Sequence, residues 1–153
     1  MAYRHIALAT DLSAGADLAF ETALALARQH QARLSVIHVI PPLITPTPLL
    51  DDMMVSEVTL RLGKNLDQAA RQEMENRYLG RCQGLSAEAV VLEGDPVREI
   101  MRVCTEAGVD LLVVGSTGLT GLAGVLFGSV AARLVRRAPC SVMVVRPCQL
   151  PEA

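Results

Sequence analysis

Strand-length apolar runs and helical patterns take turns along the whole of this chain, and few architectures accommodate that order. His5 to Thr10 reads as a short buried strand, followed by a helix from about Ala14 to His30 with apolar residues at Leu18, Ala19, Ala23, Leu26 and Ala27. Arg33 to Ile40 is a second strand, which Pro41 and Pro42 end. After Pro46 and Pro48, a long polar segment from Val55 to Arg81 is mostly helical by pattern, with Gly63 as a point of interruption. Ser86 to Leu92 is a third strand; Asp95 then caps, and Pro96 opens, a helix running through about Ala107. Val109 to Val114 and Cys140 to Val145 are the fourth and fifth strands, with the helical pattern Ser129 to Arg137 between them. Five strands with a helical segment in each crossover imply an α/β fold: an open, twisted, parallel five-stranded sheet with helices on both faces. No repeat, linker or second unit interrupts the pattern, so one domain over residues 1–153 is expected.

Composition agrees with a sheet buried on both sides. Apolar residues make up 51% of the chain and aromatics 3%, so the core must be built from Val, Leu, Ile and Ala. The net charge is −2 and the arginines are scattered, which argues against a nucleic-acid partner. No apolar run approaches the ~20 residues of a membrane span, and the first residues lack the pattern of a signal peptide. A cytoplasmic protein with no membrane insertion is expected. Cys82, Cys104, Cys140 and Cys148 show no C-x-x-C spacing, so reduced thiols are expected in place of a disulfide framework or a zinc site.

Function is most legible after the fourth strand. Gly115, Gly118, Gly121, Gly124 and Gly128 crowd into one uncharged stretch that ends in Ser129 and resumes as a helix. Glycine lets backbone N–H groups face a ligand with no Cβ in the way, and a helix N-terminus adds unpaired donors and partial positive charge, so this is the layout of an anion cradle. It is not a P-loop, because the only lysine is the distant Lys64, and read from Gly115 the dinucleotide fingerprint fails at its second glycine. The spacing that fits is G-x2-G-x9-G-[ST], with Gly115, Gly118, Gly128 and Ser129 in register.

On these residues the chain resembles the universal stress proteins, in particular the subgroup that binds ATP. The likeness covers Ile6 to Ser13, Leu34 to Ile40, Gly94 to Pro96, Gly128 to Ala132 and Ala138 to Arg146, and is weak over about 41–85. It implies a Rossmann-like sheet in the order 3-2-1-4-5, which makes strands one and four neighbours where the winding reverses. Ligands of open α/β sheets bind there, beyond the C-terminal strand ends. The resemblance further implies ATP with Mg²⁺ as ligand, the metal being held through the phosphates and not by protein side chains. Ala9 and Thr10 would line the base pocket, Asp11 would accept from ribose or adenine, and the backbone of Val39 would read the adenine edge. Val114, Gly115, Thr117 and Gly118 would approach ribose and α-phosphate, while Gly128, Ser129 and Val130 would offer N–H groups. The family often has proline at the place of Ala9 and a basic residue at that of Thr117, so here the loop is neutral. A homodimer through the fifth strand, Ser141 to Val145, is implied as well, and its apolar character suits an edge that must be covered.

Several residues admit a plainer role. Asp11 has the position of a helix cap, Glu93 and Asp95 those of a turn and a cap, and Asp110 falls at the end of its strand away from the crevice. Arg133, Arg136 and Arg137 fall in the last turns of a helix, where cations complement its dipole. His38 adjoins Val39, but no histidine cluster suggests metal or acid–base work. The expected function is a regulatory or sensing ATP-binding protein without catalytic residues, whose ligand state alters dimerisation or the binding of an unidentified client. The rivals are a slow ATPase or phosphotransferase using the same cleft, and a scaffold whose cleft stays empty.

Overall fold

Alternation becomes a sheet with β1 (His5–Thr10) at its centre. The computed structural model describes residues 2–42, 52–117 and 128–147, with 52–59 described by backbone alone. Against β1 lie β2 (Arg33–Ile40) on one side and β4 (Leu111–Gly115) on the other; β3 (Ala87–Glu93) and β5 (Ser141–Val145) are the edges. All four pairings are parallel and the order is β3-β2-β1-β4-β5, as expected. The helices are α1 (Ala14–His30), α2 (Asp52–Arg77), α3 (Pro96–Glu106) and α4 (Ser129–Arg137), with a short 3-10 turn at Leu79–Arg81.

Successive side chains of a strand point to opposite faces, and the two faces hold separate cores. Ile6 and Leu8 pack with Phe20 and Ala23 of α1 and with Met74 and Tyr78 at the end of α2. Ala7, Ile37 and Leu112 pack on the other side with Ile100 of α3 and Leu134 of α4. Aliphatic residues fill both layers, as the low aromatic content requires. The exception is the Phe20–Tyr78 ring pair, 4.7 Å between centroids, which pins α2 to α1.

Boundaries differ from the sequence expectation in instructive places. The long helix starts at Asp52, runs through Gly63 without a break and stops at Arg77. One glycine costs a helix about 1 kcal/mol, and Gly63 has no neighbour within 4 Å that would make the missing side chain felt. The fourth strand starts at Leu111 and not at Val109, because the Val109 N–H closes the end of α3 on the Cys104 carbonyl at 3.0 Å. Asp110 is structural, as its position suggested: its carboxylate accepts from the N–H groups of Arg4 and His5 at 2.8 and 2.9 Å. These two backbone bonds hold its carboxyl below the usual range.

Candidate functional site

The crevice is set by where β1 and β4 end. Gly94 takes φ +143° and donates its N–H to the Ile40 carbonyl at 3.0 Å, a turn that swings Asp95 into the capping position of α3. The Asp95 carboxylate accepts from Arg98 N–H at 2.9 Å and pairs with Arg133 of α4 at 3.6 Å. The bond from Arg98 is the main reason its carboxyl stays below its usual value. The N-termini of α3 and α4 thus approach each other over the C-terminal ends of the strands.

Between them lies a cavity of about 410 Å³, within the range of small-molecule sites. Ala9, Thr10 and Asp11 line it from the end of β1, Val39 from β2, and Val114, Gly115 and Thr117 from the end of β4. Gly128, Ser129 and Val130 line it from the start of α4. Residues far apart in sequence therefore meet at one place; Gly118 lies outside the described residues. The wall also includes Ala16, His38, Pro41, Pro96, Ile100, Ala131 and Leu134, which the sequence reading did not place in the site. Pro41 and Pro96 carried positional signals, as a strand end and a helix start, and His38 adjoins Val39; the aliphatic residues are types common to any core. Asp11 is the one carboxylate and no lysine or arginine appears among the described lining residues.

Around Asp11 the chain makes a tight turn. Its Oδ1 accepts the Ser13 N–H at 3.1 Å, and Ser13 in turn caps α1 by accepting from Ala16 N–H at 3.3 Å. The capping residue is thus Ser13, and Asp11 belongs to the turn before it. His38 stands over the same strand end, its Nδ1 2.9 Å from the Thr10 carbonyl. A carbonyl only accepts, so Nδ1 carries the hydrogen.

The glycine segment is anchored at both ends. Ser116 donates its N–H to the Val145 carbonyl at 2.8 Å, and Gly128 donates to the Ser116 carbonyl at 2.7 Å. That second bond occupies the Gly128 N–H, one of the groups expected to face an anion. The first-turn N–H groups of Ser129 and Val130 have no acceptor inside α4 and border the cavity. Gly115 also has a role that its sequence context did not reveal. A Cβ there would stand 2.8 Å from the Gly15 carbonyl oxygen, and one on Gly15 would stand 2.5 Å from the Thr117 carbonyl oxygen. The two glycines let the first turn of α1 and the end of β4 touch.

A serine, a histidine and a carboxylate meet at the opposite end of the sheet without forming a nucleophilic relay. Ser35 Oγ lies 2.8 Å from His5 Nε2 and 2.8 Å from Glu88 Oε1, while His5 Nδ1 faces the Ala107 carbonyl. A relay needs the carboxylate on the imidazole and an exposed hydroxyl; here the carboxylate bonds the hydroxyl, and Ser35 is 1% exposed. Among the described residues no group of three or more His, Cys, Asp or Glu side chains is arranged to hold a metal ion, and no helix is long and apolar enough to cross a membrane.

The family model of the universal stress proteins matches residues 2–146. Universal stress protein YxiE of Bacillus subtilis is 32% identical over 145 residues, covering 86% of this chain and 93% of its own. Among solved structures, universal stress protein UspA from Lactobacillus plantarum superposes with a TM-score of 0.75 at 29% identity, covering 95% of this chain and 99% of its own. A universal stress protein solved in complex with cAMP superposes with a TM-score of 0.68 at 27% identity, covering 95% and 98% of the two chains. Matched by the family model over residues 2–146 and by a relative of 32% identity over most of both chains, this chain belongs to the universal stress protein family.

Proposed function

We propose that the protein is an ATP-binding regulatory protein of the cytoplasm, which takes ATP with Mg²⁺ in the crevice between β1 and β4 and relays its ligand state through dimerisation or a client. The observation that carries this reading is the cavity itself, with the Asp11 carboxylate at the β1 end and the first turn of α4 across from it. Apolar walls from Val39, Ile100 and Val114 suit a purine base. The N–H groups of Ser129 and Val130, with the positive end of the α4 dipole, suit phosphate. The related protein solved with cAMP supports an adenine nucleotide as the ligand class. The neutral lining means that phosphate charge is met by amides, hydroxyls and a Mg²⁺ carried on the phosphates, with Ser129 and Thr117 as the nearby hydroxyl side chains.

That lining also supports a sensor over an enzyme. Phosphoryl transfer needs an oriented nucleophile and strong stabilisation of developing charge, and the described lining offers no lysine or arginine for it. Hydrolysis is expected below roughly one per minute, against about 1–100 per second for ordinary kinases. The sheet edge supports the homodimer: among the described residues β5 pairs only with β4, and Ser141 to Val145 carries no lysine or proline to discourage a second partner. Calorimetry and thermal unfolding with Mg-ATP and Mg-GTP test the reading. ATP at ~100 times its dissociation constant is expected to stabilise the fold by about 2.7 kcal/mol, with a smaller effect of GTP. An unchanged melting temperature at millimolar ATP, without heat on mixing, overturns it.

A further inference from the structure

The turn that carries Asp11 is held from a distant part of the chain. Leu12 takes φ +63°, a left-handed conformation that a residue with a Cβ adopts at a steric cost. Both of its backbone polar groups are tied down. The Leu12 N–H donates to Thr10 Oγ1 at 3.0 Å, and the Leu12 carbonyl accepts from the Arg77 guanidinium at 2.8 Å. The same guanidinium donates to Asp17 Oδ2 at 2.6 Å, and Tyr78 OH donates to Asp17 Oδ1 at 2.9 Å. Tyr78 O and Thr10 Oγ1 are 2.9 Å apart. Since the Tyr78 hydrogen is committed to a carboxylate that only accepts, the Thr10 hydroxyl must be the donor to Tyr78. The bonds therefore run in one direction, from the Leu12 N–H through Thr10 and Tyr78 to Asp17. Chains of this kind strengthen one another in a dry setting, and Tyr78 is 1% exposed.

We infer that Arg77 and Tyr78, at the C-terminal end of α2, are positioning residues for the nucleotide crevice: they fix the Thr10–Ser13 turn and with it the direction in which Asp11 meets the ligand. The inference rests on the ATP-binding reading above. By linkage, whatever ligand binding gains from the ordered turn, α2 gains in docking, so the seating of α2 on the sheet and the occupancy of the crevice are coupled. Arg81 supplies a contrast within the same region. It joins the 3-10 turn to α1 through a two-pronged pair with Glu21, one contact at 2.9 Å, and has no bond to the Thr10–Ser13 turn.

Three variants, Tyr78→Phe, Arg77→Ala and Arg81→Ala, test this by calorimetry with adenosine and with Mg-ATP, alongside urea unfolding and amide hydrogen exchange. Tyr78→Phe and Arg77→Ala are expected to weaken both ligands by the same factor, roughly three- to tenfold for the loss of one or two hydrogen bonds, because the turn serves the nucleoside and not the phosphates. The Leu12 and Ser13 amides are expected to exchange faster in both variants. Arg81→Ala is expected to change urea stability while leaving affinity and these two amides as in the wild type. Wild-type affinity in both Tyr78→Phe and Arg77→Ala, or the same loss in Arg81→Ala, overturns the inference and assigns the network to stability alone. Wild-type protein that takes up neither ligand overturns the nucleotide reading together with this one, a failure seen before any substitution is made.

Discussion

Replacing Gly115 with alanine tests whether its place in the motif is set by packing as well as by the ligand. The added methyl would sit 2.8 Å from the carbonyl oxygen and 2.9 Å from the carbonyl carbon of Gly15, and 3.3 Å from Ala16 N. All three are backbone atoms of the first turn of α1, so no side-chain rotation relieves the clash. Something must move by about 0.6 Å to restore an ordinary contact, and overpacking of that kind costs typically about 1–3 kcal/mol. Near the transition, a protein of this size loses about 2–4 °C of melting temperature per kcal/mol. Urea unfolding of Gly115→Ala is therefore expected to show a lowered midpoint at unchanged slope. Gly63→Ala is the control: nothing stands within 4 Å of its added methyl in the helix interior, and a gain of about 0.5–1 kcal/mol is expected. Gly115→Ala with wild-type stability would falsify the close-contact account and leave ligand access as the reason for the glycine.

Asp11→Asn keeps an oxygen that accepts the Ser13 N–H but removes the charge. It is expected to weaken ATP roughly tenfold while leaving any residual hydrolysis per bound ATP unchanged; turnover near one per second that vanishes in this variant at saturating ATP would show an enzyme. Val144→Pro, in the middle of β5, is expected to shift the mass measured by light scattering from dimer to monomer, and an unaffected dimer would move the interface elsewhere. Acid is expected to unfold the protein below about pH 4. Burial pushes the Asp17 carboxyl up, but bonds from Arg77 and Tyr78 outweigh it and leave it lowered, and the Arg33 bond lowers Glu88. Stability from such groups is complete above their unfolded values and lost as pH falls through the folded ones, so a urea midpoint constant from pH 6 to pH 3 would refute this. At the other extreme, burial holds the Tyr78 phenol at about 12 against an ordinary 10. The unfolded chain then ionises first, and stability is expected to fall between those two values, a loss that Tyr78→Phe removes.

The strand and helix order was legible because period and punctuation agree: Pro41 ends β2, Asp95 and Pro96 open α3, and each was found where its chemistry acts. The crevice was legible because residues after β1 and β4 had the polar or glycine character that buried strands lack. What escaped depends on contacts between elements that no local pattern encodes. Gly15 sits in an alanine-rich stretch that reads as ordinary helix, and its need for a bare Cα appears only when the Thr117 carbonyl arrives beside it. Tyr78 falls without distinction inside the polar stretch read as mostly helical, yet its hydroxyl reaches Thr10, 68 residues away. The commitment of the Gly128 N–H to Ser116 was likewise hidden, since the motif suggests donors without saying which are already taken.

The central place of β1 has a consequence for how the chain comes off the ribosome. One edge of β1 meets β2 after a single helical crossover, but the other waits for β4, and Asp110, which caps the start of β1, lies 105 residues downstream of His5. For most of synthesis the strand that ends up best protected is an open edge of an incomplete sheet, the kind of surface that recruits other chains. Distant pairings are also slow to form. A nascent chain stalled before Leu111 is therefore the species in which aggregation and chaperone capture are expected to concentrate, and release of the β4 segment is the event that ends that exposure.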